Sequence, residues 1–326
     1  MAKFDIRVAA GADPGLPDDA ELAMTVHLPD ARPPEVLVFA YPGGALGRGY
    51  FDLRFPGYGG YSQAEHLTAR GIGLVAVDHL GVGDSSALPD RADQTIEMLA
   101  DANAAAVAEF CRRWRDGALT DSLAGAELPR LAGLGHSMGA CLLIAQQARR
   151  RCFAELALLG FSARHTAYPA LTGGGVLDIR FPSRGQDPVA SPPSRPFTRE
   201  EKRHTYFYDD VPAALVDADL DAALGPPAGT TPSAVTVPWR SRTRPVCAAA
   251  MCSPGVVANE AAMIDVPVLV GIGERDVIAD PSLELAGYPR VPDFTLVRIA
   301  RMSHMHNFAG TRALLWDRIA RWLAGA

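Results

Sequence analysis

The chain has 326 residues, of which 48% are hydrophobic and 21% charged, and its formal net charge is −6. That balance supports a sizeable core and excludes a disordered or fibrous chain. It also argues against a nucleic-acid partner or an anionic membrane surface. No leader pattern or 18-residue apolar run occurs, so a cytoplasmic protein is expected.

In chain order, "KFDIRVA" and "ELAMTVH" read as strands with no helix between them, which predicts an antiparallel edge. "EVLVFA" is a third strand, followed by a glycine loop and the helical pattern "SQAEHLTAR". "GLVAVD" is the fourth strand, and "TIEMLADANAAAVAEFCRRW" carries apolar residues at helical spacing. "RLAGLG" and "LALLGF" are the fifth and sixth strands, separated by the helix "MGACLLIAQQARR". The basic run Arg149 to Arg151 closes that helix, where cations suit the negative dipole end.

From about residue 163 to 265 this rhythm breaks. "FPSRGQDPVASPPSRPF" and "LGPPAGTTPSAVTVPWRSRTRP" contain too much proline for central strands or helix interiors. A compact domain does not tolerate a structureless loop of that length. The stretch is therefore expected to be an inserted lid with short helices around "TREEKRHTYFY" and "VPAALVDADL". Strand patterns return at "VPVLVGIG" and "FTLVRIA", and "TRALLWDRIARWLA" closes the chain as a helix. Strands alternating with helices predict an α/β class: an eight-stranded, mostly parallel sheet with helices on both faces. The expected core spans residues 1–162 and 266–326, with the lid, 163–265, after the sixth strand.

Cys111, Cys141, Cys152, Cys247 and Cys252 are odd in number and lack metal-type spacing, so reduced thiols are expected. Lys3 and Lys202 are the chain's lysines; the other basic residues are arginines.

Chemistry enters at Gly135-His136-Ser137-Met138-Gly139, a G-x-S-x-G string between a strand and a helix. That context lifts a serine hydroxyl above the sheet and lets the Met138 N–H face a developing oxyanion. Serine needs a base in reach, and the base needs an orienting carboxylate. The seventh strand is followed by Glu274, Asp276 and Asp280, and the eighth ends at His304 and His306. The count from the strand end favours His304 as base over His306, which is then expected to line the pocket or cap the last helix. Open α/β sheets place their functional groups beyond the carboxyl ends of such strands.

These residues resemble the α/β-hydrolase superfamily over nearly the whole chain outside the lid. The resemblance rests on the "GHSMG" elbow, the "PVLVGIGERD" acid strand, the "SHMHNF" histidine loop and "GIGLVAVDHLGVGDSS". It implies Ser137 as nucleophile, Asp276 as acid and His304 as base. It also implies a second oxyanion donor in the loop Tyr41-Pro42-Gly43-Gly44, from Gly43 or Gly44, because Pro42 has no N–H. Asp78 is read as a turn carboxylate that caps backbone donors. Tyr41, His136, Phe161, Tyr206 and His306 are expected around the pocket, with Tyr168, Phe181, Phe197, Phe207, Tyr208 and Trp239 as further wall candidates from the lid.

The expected function is two-step hydrolysis of an uncharged or weakly polar carboxylic ester, lactone or thioester through an acyl-enzyme. No metal or organic cofactor is implied, and the expected partner is a small acyl substrate. The sequence gives no sign of oligomeric state. Transfer of the acyl group to another acceptor and carbon–carbon bond hydrolysis would use the same three residues. A ligand-binding protein on this fold would need none of them.

Overall fold

The computed structural model describes every residue except 12–15, 31, 89–93, 188–189, 228–236 and 326. Eight strands form one sheet: β1 (Ala2–Ala9), β2 (Glu21–Leu28), β3 (Val36–Tyr41), β4 (Ile72–Val77), β5 (Arg130–His136), β6 (Glu155–Leu159), β7 (Val268–Arg275) and β8 (Phe294–Ser303). Their spatial order is β1-β2-β4-β3-β5-β6-β7-β8. β1 pairs antiparallel with β2, and β2 antiparallel with β4; every other neighbour is parallel.

Strand periodicity sorts the core into two layers. In β3, Leu37, Phe39 and Tyr41 join one hydrophobic cluster, whereas Val36, Val38 and Ala40 join the other. Successive side chains on a strand point to opposite faces, so one all-buried strand feeds both layers. α2 (Ile96–Arg115) and α3 (Met138–Arg150) cover the first face, with Leu99, Phe110, Trp114 and Leu142 in its cluster. α1 (Gln63–Thr68) and α7 (Arg312–Gly325) cover the second, through Leu67, Leu315 and Ile319. Thr95 caps α2 by accepting the Met98 N–H at 3.1 Å. At the end of α3, Arg149 and Arg150 both pair with Asp101, and Arg151 turns into the left-handed region at φ 49°.

Between β6 and β7 the chain leaves the sheet. This insertion contains α4 (Arg199–Tyr206), α5 (Ala213–Leu224), a 3₁₀ turn (Val246–Cys252) and the short α6 (Ala258–Ala261). α4 starts in a capping box in which Thr198 and Glu201 satisfy each other's backbone N–H. Residues 188–189 and 228–236 of the two proline-rich stretches lie outside the described residues.

Three backbone clasps fix the insertion over the carboxyl edge of the sheet. The Ala167 N–H donates to the Val277 carbonyl at 2.8 Å. Gly47 donates to Trp239 at 2.9 Å, and Ser241 to Ala45 at 3.1 Å. His304 and Met305 donate to the carbonyls of Thr205 and Tyr206, at 3.0 and 2.8 Å. Among the described residues no helix is long and apolar enough to cross a membrane.

Candidate active site

Ser137 is the residue between β5 and α3, at φ 54° and ψ −117°. A non-glycine residue pays a steric cost in the left-handed region, so its neighbours must over-determine the turn. They do so by close approach: a Cβ on Gly139 would overlap the Tyr41 carbonyl, and one on Gly135 would come within 2.5 Å of the Ala140 Cα. The Ser137 N–H donates to the Leu159 carbonyl at 2.8 Å, which ties the turn to β6. Ser137 is partly exposed into a cavity of about 400 Å³.

His304 follows β8 and Asp276 follows β7, and both side chains are buried. The His304 Nε2 stands 3.0 Å from the Ser137 Oγ, and its Nδ1 stands 2.8 Å from an Asp276 oxygen. A carboxylate only accepts, so Nδ1 carries the proton and Nε2 is left to accept from the serine hydroxyl. The other Asp276 oxygen accepts from His306 Nε2 at 2.6 Å and from the Gly273 N–H at 2.9 Å. Burial alone would push the Asp276 carboxyl up, but the two imidazoles hold it well below the usual carboxylate range.

His306 therefore stands behind Asp276, away from the serine and outside the cavity lining, which corrects its expected place in the pocket. Gly160, at φ 57°, leaves room for both rings: a Cβ there would meet the His304 Nδ1 at 3.0 Å and the His306 Cε1 at 3.4 Å. The flanking carboxylates are occupied elsewhere. Glu274 accepts from the Arg301 N–H at 2.8 Å, and Asp280 caps Ser282.

The Met138 N–H lies in the first turn of α3, where backbone donors have no intrahelical partner. Gly43 and Gly44 line the same cavity, and a Cβ on Gly43 would stand 3.2 Å from the Ser137 Cβ. Their loop is braced from beneath. The Asn103 amide donates to His79 Nδ1 at 3.2 Å, and His79 Nε2 donates to the Pro42 carbonyl at 3.2 Å. Burial lowers the His79 pKa to about 4, so the ring is neutral and can make both bonds. Neither residue stood out in the sequence, although His79 follows Asp78 directly.

His136 is also neutral, its pKa pushed well below the ordinary value by burial and then by His304 and His306. It donates from Nε2 to the His304 carbonyl at 2.7 Å and stacks on Tyr50 at 5.0 Å. Asn307 completes the anchoring of the histidine loop. Its amide donates to the Tyr50 carbonyl and to Gln63, and its oxygen accepts from the Trp316 indole at 2.9 Å. Asp78 accepts the backbone N–H groups of Arg48 and Asp84 and pairs with the Arg48 guanidinium, as a turn carboxylate.

Of the expected pocket residues, His136, Phe161 and Tyr206 line the cavity. Tyr41 does not: the alternation of β3 sends its ring into the α2/α3 layer, where it stacks on His79 at 5.5 Å. Tyr168, Phe181 and Phe197 line the cavity as an aromatic cluster, whereas Phe207, Tyr208 and Trp239 do not. The wall also carries charge: Arg195, Lys202, Arg240 and Arg244 face the same space. Lys202 reaches the cavity from α4, the helix that also carries the expected Tyr206.

No curated protein sequence matches the chain. Solved structures do. A thermophilic esterase from Thermogutta terrifontis is 18% identical with a TM-score of 0.57, over 99% of this chain and 98% of that one. A proline iminopeptidase from Mycobacterium smegmatis is 17% identical with a TM-score of 0.59, over the same shares. A bromoperoxidase from Bacillus anthracis is 14% identical with a TM-score of 0.58, over 98% of this chain and 99% of that one. At such identities the likeness establishes the fold alone. The family model described as "Alpha/beta hydrolase family" matches residues 36–315, and with that span the chain belongs to the alpha/beta hydrolase family.

Proposed function

We propose that the protein is a serine hydrolase that cleaves a carboxylic ester, lactone or thioester through an acyl-enzyme on Ser137. The observation that carries this reading is the continuous hydrogen-bond path from Ser137 Oγ through His304 to Asp276, with links of 3.0 and 2.8 Å, opening on a cavity. His304 takes the hydroxyl proton as Ser137 attacks the carbonyl carbon, and returns it to the leaving group. Water activated by the same imidazole then releases the acid. Asp276 keeps His304 in the productive tautomer and stabilises its charged form.

In this reading the Met138 N–H and an N–H from Gly43 or Gly44 hold the oxyanion. Each such donor contributes on the order of 3 kcal/mol to the transition state. The insertion acts as a lid whose aromatic wall excludes water from the acyl group. Only a neutral His304 ring, with Nε2 free to accept, can act as the base.

The test pairs a fluorophosphonate label with steady-state hydrolysis of p-nitrophenyl butyrate and of the matched anilide. Label on Ser137 and faster ester than anilide turnover are expected, both lost in Ser137→Ala. Labelling or turnover that persists in that variant removes Ser137 from the mechanism, and faster anilide cleavage replaces ester by amide substrates.

A further inference from the structure

Four cationic side chains line the cavity that holds Ser137 and His304: Arg195, Lys202, Arg240 and Arg244. Among the described residues no aspartate or glutamate lines it. In a chain of net charge −6 this concentration of one sign around the candidate site needs a physical account.

Two of the four are neutralised within the protein. Asp219 accepts from Arg240 at 2.5 and 2.8 Å and from the Trp239 indole at 2.7 Å. Glu201 accepts from Arg195 at 2.7 and 2.8 Å. Lys202 and Arg244 have no ion pair or side-chain hydrogen bond to any described residue. The other lysine of the chain, Lys3, is paired with Asp52 at 2.8 Å. The Lys202 ammonium lies over the Tyr206 ring, 5.9 Å from its centroid.

Lys202 sits on α4, the helix whose last carbonyls hold the backbone of His304 and Met305. Its position relative to the candidate base is thus fixed by hydrogen bonds rather than left to a mobile loop. Burial, then repulsion from Arg240 and Arg244, pulls its pKa down to about 8, so it remains mostly charged at neutral pH. A half-buried cation beside two guanidinium groups is an electrostatic cost that Asp219, already paired with Arg240, relieves only in part, and among the described residues no anion pairs with Lys202.

We infer that the substrate supplies that anion: the enzyme acts on acyl compounds that carry a carboxylate, received by Lys202 and, at the exposed rim of the cavity, by Arg244. This rests on the acyl-transfer reading of Ser137. A carboxylate brings one negative charge and two acceptor oxygens to one ammonium and one guanidinium. The remaining wall is aromatic and apolar, through Tyr168, Phe181, Phe197 and Met251, which suits a short carbon chain between the carboxylate and the scissile carbonyl.

The experiment compares kcat/KM for p-nitrophenyl butyrate, the mono-p-nitrophenyl ester of glutaric acid and 4-carboxyphenyl butyrate. These are a neutral ester, one with the carboxylate on the acyl side and one with it on the leaving side. At least one anionic ester is expected to exceed the neutral ester about tenfold, and which one tells the side the cations serve. That ratio should fall about tenfold in Lys202→Gln and in Arg244→Gln and be retained in Lys202→Arg. A wild-type ratio near one, or a ratio unchanged in both glutamine variants, overturns the inference.

Binding separates this from a failure of the proposed function. Glutarate should raise the melting temperature of Ser137→Ala, and adding Lys202→Gln to that variant should abolish the rise. Loss of Ser137-dependent hydrolysis would overturn the function, whereas absent glutarate stabilisation would overturn the anion site. Stronger stabilisation by inorganic phosphate than by glutarate would overturn the carboxylate assignment.

Discussion

The two walls of the cavity are built by different means. On the sheet side, Ser137, Asp276 and His304 follow β5, β7 and β8, and backbone bonds to adjoining segments, including Ser137 to Leu159 and Val277 to Ala167, hold their positions. On the insertion side, Phe181, Phe197 and Arg244 come from irregular chain, and Lys202 from a helix of two turns. The first wall borrows the stiffness of a parallel sheet, so its distances suit proton transfer. The second is a lining whose chemistry can change without moving the first. Substitutions on the sheet side should therefore reduce every reaction alike, while substitutions on the insertion side should re-rank substrates.

The largest effect is expected from Ser137→Ala, a loss of kcat by about four to six orders of magnitude on neutral and anionic esters equally. Steady-state assays would break the comparison if one substrate class survived. Asp276→Asn comes next, with about a 10⁴-fold loss. An amide there no longer accepts from both imidazoles as a carboxylate does, and His304 loses its productive tautomer.

A third prediction concerns stability beneath the glycine loop. His79 is neutral in the fold with its pKa near 4, below the ordinary 6.5, so the unfolded chain takes up the proton first. Its contribution is complete above pH 6.5 and is lost as pH falls toward 4, by about 3 kcal/mol for this residue. Urea unfolding at pH 7 and pH 4 should show a smaller loss in His79→Gln than in wild type. Equal losses would mean that the ring accepts its proton within the fold.

The smallest effect separates the two histidines on Asp276. His306→Gln should lower kcat about tenfold and keep fluorophosphonate labelling, because it removes one donor to the far oxygen while His304 stays in reach of Ser137. His304→Ala should abolish both. The opposite pattern would make His306 the base.

Much of this architecture was legible from local patterns. The short apolar run "VLVFAY" marks a strand buried on both faces, and helical spacing in α2 and α3 marks helices, because these patterns follow from backbone geometry. The glycines around Ser137 announce a crowded turn, since Gly139 has no space for a side chain against the Tyr41 carbonyl. Other features were less legible. Tyr41 adjoins the glycine loop in sequence yet points into the opposite layer, because strand parity outweighs proximity along the chain. His79 and Asn103 carry no motif; their role exists only where α2 passes beneath the loop after β3.

By itself the sequence determined the α/β alternation, the edge of the sheet where functional groups gather and the strained serine turn, all of which follow from short-range sterics and periodicity. Tertiary structure decided which of two histidines reaches Ser137 and which only reaches Asp276. It also decided that Lys202, in a run of charges with no local mark of a pocket, faces the cavity, where among the described residues no carboxylate pairs with it. Both outcomes depend on distances between segments far apart in the chain, and those distances are set by packing of the whole sheet and its insertion rather than by any local pattern.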